Sequence, residues 1–529
     1  MQRQDDTRTG EIAPLPASPA LTPFERLRLR LSPTPAAARV WRWLAPTLVT
    51  LLAAVLRLWN LGHPHALVFD ETYYVKDAWT LLHLGYEGSW PSEADAAFVA
   101  GDVMSFLPES SFVVHPPLGK WLIALGLWAL GADDAAGWRL AVALAGTASV
   151  LVLFLIARRL TGSTVWASVA GGLLAIDGLG IVLSRVALLD GLLAFFVLLA
   201  FWFVLIDRDR QTARIGVAVA AAGAGEPVSW GPVVWARPWV LAAGAALGCA
   251  TAVKWSGLYV LAAVGIYLVV TDALARRSAG VSRWAMDAAL RQGPVAFVLL
   301  VPVAALVYLS SWTGWLLTAG GYDRQSDPNA LAALWNYHEA IYRFHVGLTS
   351  EHSYASPAWQ WPLLLRPTSM YWNKTEAGTA GCDAASGCVQ AVSSIPNPLI
   401  WYAGVAAVVY LAVRFIRPAA GRMRDRAAAF VLVGVAATYV PWLLYAERTI
   451  FQFYTVVIVP FLILALVLAL RRVAGPREAT VHRRTSGQGV VLVFLAVAAL
   501  LSAFWYPVWT AIDVPYDFWR LHNWMFTWI

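Results

Sequence analysis

Apolar residues run along this chain in long blocks, separated by short polar connections and by two long ones. Eleven blocks approach the roughly 20 residues that a helix needs to cross a bilayer core. They fall at about 42–61, 138–157, 165–183, 188–206, 237–254, 256–272, 293–312, 398–415, 428–446, 450–470 and 489–506. The pattern predicts an all-α polytopic membrane protein whose membrane domain occupies residues 39–529. Residues 1–38 are rich in Pro, Arg and Thr and contain no apolar stretch. They read as a disordered cytoplasmic tail, not a signal peptide.

Composition agrees with the pattern. The chain is 59% hydrophobic and 13% charged, against roughly 25% charge in soluble domains. Its 28 Trp suit aromatic belts at the two membrane surfaces. The net charge of +7 reports topology here and not a nucleic-acid partner. The connections near 158–164, 207–236, 273–292, 414–427 and 471–488 are Arg-rich, as in "RFIRPAAGRMRDR" and "RRVAGPREATVHRR". The alternate connections are poor in Arg. Residues 62–137 hold only Lys76 and Lys120, and residues 313–397 only Arg324, Arg343, Arg366 and Lys374. The positive-inside rule therefore places the N-terminus inside, and the C-terminus and both long loops outside.

Those loops have structure of their own. "PLGKWLIALGLWALG" (117–131) is short for a span and suits a helix lying at the interface. The C-terminal segment 507–529 alternates aromatic and polar residues and reads as extracytoplasmic and interfacial. No internal repeat is visible, which argues against transporters built from duplicated halves. Of three cysteines, Cys249 lies in an apolar block and reads as packing. Cys382 and Cys388, in "GCDAASGC", are disulfide candidates for an oxidising compartment. Zinc would need more ligands than this stretch offers.

The chemistry gathers at the outer boundary. "HALVFDETYYVKDAW" (65–79) places Asp70 and Glu71 just past the first span. A carboxylate pair alone reads as a solvated loop start, so its companions decide. "VVHPPLGKW" (113–121) brings His115 and Lys120 to a helix start, where free N–H groups and a cation can hold an anion. A snorkelling lysine is the plainer alternative. Arg139, at the edge of the second span, offers a fork for phosphate oxygens or serves as an interfacial anchor. "AIDGLGIVLSRVALLDGLLAFF" places Asp177, Arg185 and Asp190 around a short outward turn, with structural pairing expected for Asp177. Lys254, in "AVKWSGLY", ends another span. Cations at headgroup depth beside a carboxylate pair fit transfer from a lipid phosphate, with one carboxylate as general base.

Taken in order, "FDETYYVKDAW", "HPPLGKW", "WRLAVALAG", "SRVALLDGLLAFF", "KWSGLY" and "TSEHSYASPAWQWPLLLRPTSMYW" resemble the protein O-mannosyltransferase family along nearly the whole chain after residue 40. The resemblance implies a GT-C glycosyltransferase fold with about eleven transmembrane helices and two large extracytoplasmic loops. It implies inverting transfer of mannose from a polyprenyl-phosphate mannose donor to Ser or Thr of secreted polypeptides. Asp70 matches the family's catalytic aspartate and Glu71 its adjacent acid. Arg139 matches an arginine facing the donor phosphate, and His115, Lys120, Arg185, Asp190 and, more loosely, Lys254 fall in donor-side motifs. His352, Trp361 and Arg366 receive no chemical step, with packing expected for Trp361. Residues 313–397 are too few for the β-trefoil domain of eukaryotic members, so the chain resembles the bacterial form, which sits in the cell membrane.

The expected partners are the lipid donor, a Ser/Thr-rich secreted polypeptide, the bilayer and the secretion translocon, with no nucleic acid. No obligatory metal is expected, although two adjacent carboxylates can bind Mg²⁺ or Mn²⁺ with phosphate help. The tripeptide "NKT" (373–375) is a chance glycosylation match. Two readings compete with protein mannosylation: a GT-C transferase with a lipid or glycan acceptor or another sugar donor, and a transporter or flippase. The last would cluster its charges at mid-bilayer.

Overall fold

All eleven apolar blocks are built as helix. The computed structural model describes residues 21–223, 228–417 and 425–529. Among them, eight helices are long and apolar enough to cross a membrane: Pro35–Leu58, Ala135–Thr161, Leu189–Ala222, Gly257–Ser278, Trp284–Ser311, Pro398–Ile416, Arg426–Leu444 and Val481–Trp509. The chain is a multi-pass membrane protein. The other three blocks are shorter for identifiable reasons. Pro238–Val253 is enclosed between Leu189–Gly223 and Gly293–Ser311. Thr164–Ile176 stops at Asp177, whose carboxylate accepts from Gly180 N–H and restarts the chain as Gly178–Val182. The 450–470 block begins as a 3₁₀ turn, Gln452–Val457, because Pro460 belongs in the first turn of the helix that follows. That helix, Val459–Val473, is buried at nearly every position and forms the centre of the C-terminal bundle.

The tail is shorter than the sequence reading makes it. Residues 1–20 lie outside the described residues, but Pro23–Leu31 and Pro35–Leu58 are helical, which corrects the disorder expected through residue 38. The local signal is a capping box in which Thr22 and Glu25 satisfy each other's backbone N–H groups, with Pro23 in the first turn. Glu25 also pairs with Arg484, and Thr22 Oγ1 donates to Gln488 at 2.7 Å, which docks this helix on Val481–Trp509.

A small sheet is added to the helical fold. Strands β1 (Ser369–Thr375), β2 (Cys388–Ser393) and β3 (Val514–Pro515) pair antiparallel in that order. The Cys382–Cys388 disulfide closes the β1–β2 connection. Arg366 donates to the carbonyls of Thr527 and Ile529, and Trp528 Nε1 to that of Leu364. The second long loop and the C-terminal segment are thus one layer. Trp361 is buried and donates to Ser356 O, a packing role as expected.

The first long loop contributes the helices Glu71–Leu84, Ala94–Val99 and Leu118–Leu130. Leu118–Leu130 packs on Glu71–Leu84 and Ala135–Thr161 with Leu125 and Trp128 exposed. A Cβ at Gly119 would meet Leu189 Cδ2 at 2.5 Å, so the glycine of "HPPLGKW" lets this helix close on the bundle. At the far end of Pro238–Val253, Arg237 bridges Asp207 and Asp272, and Arg276 pairs with Asp287. These buried pairs tie helix ends together away from the residues described next.

Candidate active site

Asp70 opens the Glu71–Leu84 helix and lies one residue past Phe69, whose φ of 53° is rare for a bulky side chain. Its neighbour Glu71 points the other way and is fully buried. The Glu71 carboxylate takes Arg139 Nε at 2.8 Å and a second guanidinium nitrogen at 2.9 Å. It also accepts the N–H groups of Val68 at 2.8 Å and Ala187 at 2.7 Å. The remaining Arg139 donors go to the carbonyls of Leu61, Pro64 and Ala66.

Arg139 therefore has no donor left for a phosphate, contrary to the family expectation. The two charges expected to act on substrate are spent on each other and on the loop backbone. Two more expected phosphate ligands also have protein partners. Arg185 donates to the carbonyls of Arg57, Trp59 and Asn60, capping the first span. Lys120 is buried, pairs with Glu87 and donates to His115 O at 3.2 Å, so the anion it holds at the helix start is a carboxylate of the protein itself. Asp77 lies near this pair, and burial with the Glu87 charge lifts its carboxyl to about 7 against the pull of Lys120.

What faces Asp70 is a smaller group. Lys254 ends the Pro238–Val253 helix, where the helix dipole favours a cation. Its ammonium sits 2.9 and 3.1 Å from the oxygens of Asp190 and 3.8 Å from the centroid of the Tyr454 ring. Asp70 feels this pair and the Tyr74 hydroxyl. Burial raises its carboxyl to about 6, with Asp190 adding to the rise and Lys254 and Tyr74 opposing it. Neither oxygen of Asp70 takes part in a salt bridge among the described residues. A partly buried carboxylate with this basicity suits general-base work.

Beside Lys254 opens a cavity of about 670 Å³, walled mostly by apolar and aromatic side chains of the Gly257–Ser278, Gly293–Ser311 and Ala330–Gly347 helices. Lys254, His115, His338, His345 and Arg448 line it. His345 Nε2–H donates to Val114 O at 2.8 Å, and Nδ1 accepts from Arg448 at 3.0 Å. Burial and the Arg448 charge hold His345 down at about 4, and burial with Lys254 holds His115 well below its ordinary value. Both rings are neutral at physiological pH, and they stack at 5.3 Å. Among the described residues, Arg448 Nε and His115 Nδ1 are buried without a hydrogen-bond partner. An apolar cavity with unspent polar atoms at one end has the form of a site for an amphiphile with an anionic head.

The comparisons agree with this architecture. The family model described as Dolichyl-phosphate-mannose-protein mannosyltransferase matches residues 128–318. The model of the C-terminal four TMM region of protein-O-mannosyltransferase matches residues 330–528. A polyprenol-phosphate-mannose–protein mannosyltransferase of Mycolicibacterium smegmatis is 34% identical over 511 residues, 93% of each chain. The chain belongs to the protein O-mannosyltransferase family. Its relative of the same name in Corynebacterium glutamicum is 30% identical over 91% of this chain and 92% of its own. The Saccharomyces cerevisiae protein O-mannosyltransferase Pmt1–Pmt2 complex bound to the sugar donor aligns with a TM-score of 0.68 at 15% identity, covering 92% of each chain. The Archaeoglobus fulgidus oligosaccharyltransferase AglB aligns at 0.52 and 14% identity, over 92% of this chain and 58% of that one. These likenesses carry the GT-C fold.

The folded chain sorts the motif residues into two groups. Asp70, Asp190, Lys254 and His115 come together. Glu71, Arg139, Arg185 and Lys120 form the frame behind them. Arg448, His345 and Tyr454 were missed. The available signal was a lone arginine in "YAERTIFQFY", in the short connection between two apolar blocks.

Proposed function

We propose that this protein moves mannose from polyprenyl-phosphate mannose to Ser or Thr hydroxyls of polypeptides on the extracytoplasmic side of the membrane. The polyprenyl chain lies along the apolar cavity, and the phosphate is held by Arg448, Lys254 and His115. Asp70 accepts the proton of the acceptor hydroxyl as its oxygen bonds to C1 of mannose. The C1–O bond to phosphate breaks with inversion, and polyprenyl phosphate leaves against the same cations. The N-terminus lies in the cytoplasm, and the secretion translocon supplies the acceptor in extended form.

One observation carries the reading. Among the described residues, Asp70 is a carboxylate free of a salt bridge, beside a cation that also lines a lipid-sized cavity. The test uses membranes containing the wild type or Asp70→Asn, labelled polyprenyl-phosphate mannose and a Ser/Thr-rich peptide. Label in the peptide with the wild type and a loss of about 10²-fold or more in the variant is expected. Label in a lipid or glycan fraction instead would replace the acceptor in this reading.

A further inference from the structure

Phe69 is tightly constrained, and its restraint comes from two distant parts of the chain. Its φ of 53° is left-handed, a conformation that a bulky residue holds only when its surroundings impose it. Its ring meets Phe451 at 5.7 Å, Phe453 at 5.6 Å and His352 at 6.0 Å, each nearly edge-on at 86°, 84° and 78°. Phe451 and Phe453 stack on each other at 5.5 Å, and His352 meets Phe451 edge-on at 4.9 Å. The box draws on the first loop, the second loop and the start of the Gln452–Val457 turn. His352 Nδ1 accepts the Tyr354 N–H at 3.1 Å, which fixes its ring, although the side chain is exposed.

We infer that the Phe451, Phe453 and His352 rings grip Phe69 and thereby aim the Asp70 carboxylate, making Phe69 and His352 positioning residues. This rests on the mannosyl-transfer reading above. The turn that carries Asp70 is held from two sides. Glu71 accepts Val68 N–H and locks the turn to Arg139 on one side, and the box locks Phe69 on the other. Asp70 sits between two anchored neighbours with no salt bridge of its own. A base displaced by about 1 Å loses on the order of 10²-fold in rate, so such anchoring is worth having. The inference also gives a task to "TSEHSY", a motif that the chemistry above leaves unused.

The test compares Phe69→Gly, Phe69→Tyr, His352→Ala and His352→Phe in the membrane assay, measuring kcat and the donor KM separately. Glycine relaxes the left-handed backbone and removes the ring. Phe69→Gly is expected to lower kcat by on the order of 10²-fold with the donor KM within about twofold, since Lys254 and Arg448 are untouched. His352→Ala is expected to lower kcat by a smaller factor, about tenfold on the same scale. Phe69→Tyr and His352→Phe, which keep a ring edge in place, are expected to stay within about threefold of the wild type.

A Phe69→Gly protein with wild-type kcat would overturn the inference, because the gripped ring would then not be what aims Asp70. Equal losses in His352→Ala and His352→Phe, or a donor KM rising in step with each fall in kcat, would overturn it as well. The function reading fails separately. If the wild type labels no peptide, the same four variants are judged on whichever acceptor takes the mannose, and if none does, both fall.

Discussion

Glu71 and Arg139 form a two-point ion pair, 2.8 and 2.9 Å, with neither side chain exposed to solvent. The pair joins the start of the first loop to the second span, and its spare valences go to the backbone of residues 61–68 and to Ala187. The paired acids of "FDETYY" thus divide into one carboxylate that holds the loop and one that is free to react.

This division predicts opposite phenotypes at adjacent positions. Removing one partner of a buried ion pair strands the other and costs about 3–5 kcal/mol. Glu71→Gln and Arg139→Met should both lower the thermal unfolding midpoint in detergent markedly, with activity lost as a consequence. Asp70→Asn should unfold at or slightly above the wild-type temperature while being inactive, because its carboxylate is already disfavoured by burial. Equal destabilisation at all three positions would contradict the division.

The pH profile follows from the same environment. Asp70 must be ionised to accept a proton, and its carboxyl is raised to about 6 in the folded protein. The rate should therefore fall as pH drops through about 6, well above the ordinary carboxylate range. The groups that face it are Asp190, which raises it, and Lys254 and Tyr74, which lower it. Lys254→Met should shift the acid limb of kcat/KM upward, besides weakening donor binding. An acid limb near 4 in the wild type would remove Asp70 from the role of base.

What the sequence makes legible differs between place and role. The eleven apolar blocks and the boundary motifs place Asp70, Lys254 and Asp190 together because they sit at span ends, and span ends meet at a surface. The sequence does not reveal what a guanidinium faces once folded. Arg139 and Arg185 have the chemistry of phosphate ligands, yet their acceptors are the Glu71 carboxylate and the carbonyls of residues 57–66, left open where the first span ends. Arg448 shows the reverse. It lies in the non-helical stretch after Val440–Leu444, where no periodicity marks it, and only folding brings it to His345. The sheet was equally hidden, since β3 has two residues and pairs across more than a hundred positions.

Arg448 should show a donor phenotype distinct from that of the frame. A charge-assisted hydrogen bond to phosphate is worth about 1.5–3 kcal/mol. Arg448→Gln should raise the donor KM by about 10- to 100-fold with the unfolding temperature little changed. Arg185→Gln should lower the unfolding temperature instead, because it uncaps the first span. Donor titration and thermal unfolding of the same two preparations separate these outcomes.

The Cys382–Cys388 bridge spans six positions. A loop that short restrains the unfolded chain by only about 2 kcal/mol. Replacing both cysteines with serine should lower the unfolding temperature modestly and leave kcat near wild type, since the bridge closes the β1–β2 connection. A large loss of activity in the double variant, or on mild reduction of the wild type, would place this hairpin in the reaction.

The last prediction concerns metal. Among the described residues, no three His, Cys, Asp or Glu side chains group as a metal site. We expect the reaction to need none, on the strength of the local charges. Both oxygens of Asp190 are on Lys254 and both oxygens of Glu71 are on Arg139. In the proposed reaction Asp70 takes the proton, and the leaving phosphate is met by Arg448 and Lys254. A divalent ion on Asp70 would compete with the proton for the same oxygens. Chelator should therefore change the rate by less than about twofold, on a scale where removing a required electrostatic partner costs 10²-fold or more. Loss of activity with chelator and its return with Mg²⁺ or Mn²⁺ would instead make Asp70 a metal ligand, and the proton would have to go to the phosphate.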